Sequence, residues 1–228
     1  MDAARVFSAA VFDMDGLLID SERVILRAWL RASQESGLLL KEADYVAVVG
    51  RAGNESRAIL SELLGGTKMF HAVRARAADI MAASTEAPRF PLKAGVVELL
   101  ASLKRAGVPC AVASSSSAAE IRHRLQSVGI LGHFAAVTGG DEVSRGKPDP
   151  AVYLRAAERI GFRPVQCLAF EDSENGALAA LASGAQVVVV PDLKHPAPHI
   201  AMRSFRVLES LHHAIEHVPA WFGKTGGG

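Results

Sequence analysis

The chain is poor in cysteine and aromatics, and neither sign of charge dominates it. Two cysteines, Cys110 and Cys167, among 228 residues exclude a disulfide framework and a cysteine-rich zinc site. Each sits inside an apolar run, Val108–Val112 and Val165–Ala169, and reads as a buried structural thiol rather than a nucleophile. A net charge of +1, with 25 basic and 24 acidic residues and no block of like charge, excludes the strongly basic face that nucleic acid or an anionic membrane selects. No apolar run approaches the ~20 residues that span a bilayer. The start, Met1-Asp2-Ala3-Ala4-Arg5, lacks the pattern of a signal peptide, so a cytoplasmic location is expected. There is no internal repeat, and low complexity is confined to Ser114–Ser117. Of the histidines, His195, His199, His212, His213 and His217 lack the spacing of a zinc set. They are expected at the surface, with His195 the one that could border a site. The glycine-rich tail 223–228 reads as disordered.

Hydrophobic residues make up half of the chain, ample for a sizeable core. Short apolar runs at Ala10–Phe12, Cys110–Ala113, Ala136–Thr138, Cys167–Phe170 and Gln186–Val190 read as buried strands. Val96, Leu99, Leu100 and Leu103 form one apolar helical face at i, i+3, i+4 and i+7. Ala119–Val128 and Ala151–Ile160 behave alike, with Asp149 and Pro150 as a cap and first turn. Strands alternating with helices predict an α/β fold, a doubly wound parallel sheet with its ligand at the carboxyl ends of the strands. One stretch breaks the alternation. Ser21–Gly37, Asn54–Leu64 and Met69–Ala83 are helical patterns with no strand among them. The expected organisation is a Rossmann-like core from 1–19 and 89–228, with an inserted α-helical cap at 20–88. An insertion there suits a lid over substrate.

Four polar motifs fall at the carboxyl ends of four predicted strands. Asp13 and Asp15 follow Ala10-Val11-Phe12. Ser114 follows Val112-Ala113, Lys147 lies in Gly146-Lys147-Pro148-Asp149-Pro150, and Glu171 and Asp172 follow Leu168-Ala169-Phe170. Each has a plainer reading taken singly. Asp-x-Asp-Gly is a common polar turn, any of the four serines could cap a helix, Lys147 could be a solvated loop residue, and Glu171 to Ser173 could cap the helix that follows. Their convergence on one edge points instead to phosphoryl transfer. Carboxylates suit magnesium, a hydroxyl and a lysine suit phosphate oxygens, and an aspartate can attack phosphorus.

With these residues in view, the chain resembles the haloacid dehalogenase superfamily, in the branch of β-phosphoglucomutase-like sugar phosphatases with a helical cap. Phe12-Asp13-Met14-Asp15-Gly16-Leu17-Leu18-Ile19-Asp20-Ser21-Glu22 and Phe170-Glu171-Asp172-Ser173-Glu174-Asn175-Gly176 carry the resemblance, with Gly146-Lys147-Pro148 and Ser114. It implies that Asp13 is the nucleophile and Asp15 the general acid and base. It further implies that Mg2+ is held by Asp13, the backbone carbonyl of Asp15, Asp172 and Glu171, the last directly or through water. Ser114, Ser115 and Lys147 would bind phosphate. Glu22, Arg51 and Asn54, with Trp29 as a further candidate, would meet the substrate from the cap. Cap packing is the plainer reading of Trp29, and Arg51 could equally be a solvated loop residue.

The implied activity is magnesium-dependent hydrolysis of a small phosphorylated metabolite, a sugar phosphate foremost, by a monomer. A hexose phosphate mutase is the alternative. The mutases resembling this chain carry Lys-Asn where Ser117 and Ala118 stand, and Lys and Arg where Val49 and Gly53 stand. Those differences favour the phosphatase. An inactive phosphate-binding module is the second alternative, opposed by the presence of Asp13, Asp15 and Lys147 together.

Overall fold

Runs of mostly apolar residues, buried at nearly every position, form five of the six strands. The computed structural model describes residues 7–49, 53–83 and 90–223. In chain order these comprise strand β1 (Ala9–Phe12), helices α1 (Ser21–Glu35), α2 (Glu42–Val48), α3 (Gly53–Leu63), α4 (Thr67–Ala83) and α5 (Val96–Arg105), then strand β2 (Cys110–Ala113) and helix α6 (Ala118–Ser127). Strand β3 (Ala136–Thr138), helix α7 (Ala151–Arg159), strand β4 (Cys167–Glu171), helix α8 (Glu174–Ser183) and strand β5 (Gln186–Val189) follow, with helix α9 (Pro198–Arg203), strand β6 (Arg206–Val207) and helix α10 (Val218–Phe222) last. Among the described residues no helix is long and apolar enough to cross a membrane.

All six strands are parallel, in the order β3-β2-β1-β4-β5-β6. The chain lays β1, β2 and β3 outward on one side, then returns to place β4 on the other side of β1. The order therefore reverses at β1, and a crevice outside the carboxyl ends of β1, β2 and β4 is where such sheets bind ligands. Side chains alternate between faces along each strand. Val11, Ala111, Ala169, Val187 and Val189 join Tyr153 and Ala156 of α7 and Ala177 and Ala180 of α8 in one buried cluster. On the alternate positions Phe12 stacks on Phe170 with ring centroids 4.7 Å apart, and Phe134 and Trp221 extend that aromatic set. Cys110 and Cys167 are buried free thiols, and burial pushes both up, to about 12 and about 11.

Backbone contacts divide the chain into two units, Met1–Ile19 with Leu92–Gly228, and Asp20–Pro91. The second unit is helical. Trp29 of α1, buried, packs on Tyr45 of α2 and Phe70 of α4 at 5.8 and 5.6 Å between centroids, so Trp29 belongs to that unit's core. Residues 84–89 and, of the glycine-rich tail, 224–228 lie outside the described residues.

Four elements, α2, α9, α10 and β6, were not visible in the sequence. α2 spans only seven residues, too short for a periodic pattern to stand out. β6 has two residues, both exposed at the sheet edge, and lacks an apolar run altogether. β4 also runs one residue further than its apolar stretch, because Glu171 stays in register with Val189 of β5. Glu171 is thus a strand residue rather than the first residue of a loop. Alternation gives it the same face as Ala169, the face that α7 covers.

Candidate active site

Asp13 is the first residue past β1, and its backbone N–H donates to the Phe170 carbonyl at 3.0 Å. The ladder between β1 and β4 thus continues to the nucleophile candidate and fixes its backbone. The chain then turns tightly: Gly16 N–H donates to the Ile19 carbonyl at 2.9 Å, and Leu18 N–H donates to the Met14 carbonyl at 2.9 Å. Met14, Leu17, Leu18 and Ile19 are all buried, which anchors the turn in the core. Gly16 has φ +83°, a backbone that side chains rarely adopt. A Cβ there would also run into the Asp172 carboxylate, so the glycine lets Asp172 approach this turn.

Lys147 joins two of the strand ends. Its Nζ donates to Asp13 Oδ1 and to Glu171 Oε1, both at 2.5 Å, and all three side chains are less than a tenth exposed. Glu171 is fully committed. Its Oε1 also accepts from the Tyr153 hydroxyl at 2.7 Å. Its Oε2 accepts from the backbone N–H groups of Asp172 and Ser173 and from the Ser173 hydroxyl, at 3.1, 3.2 and 3.1 Å. Ser173 in turn caps α8, its Oγ accepting from Gly176 N–H at 3.1 Å. The cap role weighed for this segment therefore falls to Ser173, while the two acids before it face the site.

Oxygens of Asp13, Glu171 and Asp172 lie within 4.8 Å of one another. Burial pushes Asp13 up to about 8; Glu171 and Asp15 add to the rise and Lys147 opposes it. For Lys147, burial works against the ammonium, but the two carboxylates outweigh it and hold its pKa above the usual lysine range. One ammonium among three carboxylates leaves a charge deficit, and a hard divalent cation with oxygen ligands fits such a donor set.

Asp15 is held from β2's side of the crevice. Ser116 Oγ donates to Asp15 Oδ2 at 2.9 Å, and the Arg124 guanidinium pairs with Oδ1. Arg124 also pairs with Glu120 one turn earlier on α6. The serine run has divided roles. Ser114 is buried, and its Oγ accepts from Ser116 N–H at 3.1 Å. Ser115 is exposed. Ser117 is the N-cap of α6, accepting from Glu120 N–H at 3.3 Å. Gly139 and Gly140 after β3 pack against this loop so closely that a Cβ on either would strike its backbone.

The structure therefore brings Asp13, Asp15, Lys147, Glu171 and Asp172 to one edge, with Ser114 at the adjoining strand end. Of the cap candidates, Glu22 lies in the first turn of α1. Asn54 lies at the start of α3, its Oδ1 accepting from Glu55 N–H at 3.0 Å, and it lines a cavity of about 440 Å³ with Arg57, Ser61 and Thr67. Arg51 lies outside the described residues. His195, His199, His212 and His213 are exposed, and among the described residues none joins a metal-holding cluster.

Sequence reading missed Tyr153, Arg124 and a fifth acid. Asp192, past β5, has an almost fully buried side chain; Lys93 pairs with its Oδ1, and its Oδ2 approaches Gly16. Tyr153 reads as one more apolar helix position and Arg124 as part of a solvated face. A Pro-Asp pair directly after a predicted strand was the one available signal for Asp192.

Known proteins bear on this arrangement in three ways. Residues 7–184 match the family of haloacid dehalogenase-like hydrolases. Hexitol phosphatase A of Escherichia coli is 32% identical over 182 residues, 79% of this chain and 81% of that protein. The phosphorylated carbohydrates phosphatase of Thermotoga maritima is 31% identical over 183 residues, 77% of this chain and 81% of that protein. A crystal structure of a HAD family hydrolase from Deinococcus radiodurans with bound phosphate and sodium superposes with TM-score 0.75 at 28% identity, covering 96% of this chain and 97% of that one. The switch-point crevice, its carboxylate–lysine centre and these matches lead to one assignment: the chain belongs to the haloacid dehalogenase-like hydrolases.

Proposed function

We propose that this protein is a magnesium-dependent phosphatase of small phosphorylated metabolites, sugar phosphates foremost, working through an aspartyl-phosphate on Asp13. One observation carries the reading: a buried carboxylate at the sheet's switch point, 2.5 Å from a buried ammonium and beside two further carboxylates. Two relatives named for hexitol and carbohydrate phosphates support the substrate class.

Asp13 attacks phosphorus in line. As its Oδ–P bond forms, the ester P–O bond breaks, and Asp15 gives its proton to the departing oxygen. Asp15 then takes a proton from a water that attacks the phosphorus of the aspartyl-phosphate, which frees Asp13 and inorganic phosphate. Charge in both transfers spreads over the equatorial oxygens, and Lys147, Ser114 and Ser115 serve those oxygens. Asp13, Asp172 and the Asp15 carbonyl would hold Mg2+. Glu171 would reach it through water, since both its oxygens already accept several hydrogen bonds. When bound, the cation supplies neutralisation of the phosphate's charge as an anionic nucleophile approaches. Glu22, Arg51 and Asn54 would contact the substrate.

Phosphate release across a panel of phosphorylated metabolites, with magnesium and with a chelator, tests the proposal. Magnesium-dependent release concentrated on a few sugar phosphates is the expected result. A sugar 1-phosphate yielding its 6-phosphate isomer faster than free phosphate would replace hydrolysis with the mutase reading.

A further inference from the structure

Tyr153 is buried in the cluster between α7 and the sheet, and a phenylalanine would fill that volume equally well. A buried hydroxyl is costly unless it is hydrogen-bonded, so its partner identifies its use. The partner is Glu171 Oε1, at 2.7 Å, the same oxygen that accepts from Lys147 Nζ at 2.5 Å. The Lys147 ammonium also lies 5.0 Å from the centroid of the Tyr153 ring, within the range of a cation–π attraction. Hydroxyl to carboxylate, carboxylate to ammonium and ammonium to ring form a closed triangle, and the same ammonium also donates to Asp13.

We propose that Tyr153 is a positioning residue that acts through Glu171 and Lys147 to keep the ammonium on Asp13. The effect is electrostatic. A carboxylate oxygen that accepts only from an ammonium draws that ammonium to itself. A neutral hydroxyl on the same oxygen takes up part of its acceptor capacity without bringing a second cation into the pocket. Lys147 is then shared between Glu171 and Asp13, and the ring face holds it from a third direction. Without the hydroxyl, Lys147 leans toward Glu171 and away from the place where an incoming phosphate meets Asp13. Chain geometry makes the triangle attainable. Tyr153 lies in the first turn of α7, six residues after Lys147, and Glu171 projects from β4 to the face that α7 covers.

The kinetic consequence rests on the phosphatase reading; the positioning itself does not. Two measurements separate them. In the first, Tyr153→Phe is compared with the parent for thermal stability, for orthovanadate affinity in the presence of Mg2+ by calorimetry, and for kcat and KM on the best substrate of the panel. The variant keeps the ring and loses only the donor. Orthovanadate binding and kcat/KM are expected to fall ~10-fold or more, as for other residues that orient a site side chain, while the melting temperature changes little. A fall in melting temperature with unchanged orthovanadate affinity and kcat/KM would show a packing role only and overturn the proposal. The second measurement leaves the side chain in place. The chain has two tyrosines, so 3-fluorotyrosine labelling gives two fluorine resonances, assigned with Tyr153→Phe. The Tyr153 resonance is expected to move when Mg2+ and orthovanadate are added, because Lys147 and Glu171 reorganise around the anion. A resonance that stays in place at saturating orthovanadate would overturn the proposal. If the parent releases phosphate from no substrate yet both orthovanadate results hold, the phosphatase reading fails and the positioning role stands.

Discussion

Arg124 and Asp15 stand 109 residues apart in sequence and form an ion pair beside the switch point of the sheet, with Ser116 Oγ on the second Asp15 oxygen at 2.9 Å. Both carboxylate oxygens of the acid–base candidate are thus held by side chains of the β2–α6 segment. Asp15→Ala is expected to slow turnover of alkyl phosphates by ~10²–10⁴-fold. With p-nitrophenyl phosphate, whose leaving group needs no proton, the same variant is expected to give a burst of about one equivalent of nitrophenol and then a slow phase. Arg124→Leu is expected to show the same pattern more weakly, with a loss of ~10–100-fold. Rapid-quench kinetics on both substrates checks this, and equal losses on the two would separate Asp15 from leaving-group protonation.

Asp13 sets how the protein responds to pH without metal. Burial raises its pKa to about 8, above the unfolded value of 3.8. Its contribution to stability is therefore fully present below 3.8 and is lost as pH rises through about 8. A divalent cation binds the ionised form, so Mg2+ binding below pH 8 displaces a proton and its affinity rises with pH until about 8. Calorimetry in two buffers of different ionisation heat is expected to show nearly one proton released at about pH 6 and almost none at about pH 9.5. Proton release independent of pH would contradict the raised pKa.

The approach of Asp172 to Gly16 gives a test of the metal centre by shape alone. Gly16→Ala adds a Cβ that collides with the Asp172 carboxylate at a backbone φ of +83°. Gly37→Ala shares the strain, at φ +72°, but meets nothing within 4 Å. Both are expected to lose ~1–2 kcal/mol of stability from left-handed backbone strain. The Gly16 variant alone is expected to lose ~10-fold or more in Mg2+ affinity. Denaturant unfolding and Mg2+ titration of the pair separate the two effects.

Outside the site, Arg159 and Glu142 secure the end of β3. The guanidinium donates to both Glu142 oxygens, at 2.8 and 2.6 Å, and to the Val137 carbonyl at 2.6 Å. Arg159, joined by the Gly139 N–H, lowers the Glu142 carboxyl from 4.5 to about 2. A depressed pKa gives stability that is present above 4.5 and lost as pH falls toward about 2. The pair is partly exposed, so solvent screening limits it to ~0.5–1 kcal/mol. Glu142→Gln is expected to cost that amount at neutral pH and to match the parent at about pH 2, as read by urea unfolding.

The strands and the motifs at their ends were legible because a buried parallel strand is a short apolar run, and a charge directly after it stands out. Asp13, Lys147, Glu171 and Asp172 could be brought to one edge by that pattern together with the switch-point rule. Tyr153 and Arg124 could not. Each sits on an amphipathic helix where its residue type already has an ordinary explanation, and only the packing of α7 and α6 against the sheet shows what each touches. Strand β6 escaped for a different reason: two exposed residues at an edge leave no hydrophobic trace. The exact extent of β4 depended on the Glu171–Val189 pairing, a relation between strands that neither run shows alone.

The most direct test of the nucleophile is to mix the Asp15→Ala variant with Mg2+ and p-nitrophenyl phosphate, whose leaving group needs no proton, quench in acid, and locate the phosphoryl group by peptide mass. The expected result is a phosphoryl group on the peptide containing Asp13, absent when Asp13→Asn is added to the variant. Steady phosphate release by the parent protein, with no phosphoryl group trapped on Asp13 in any sample, would contradict the account.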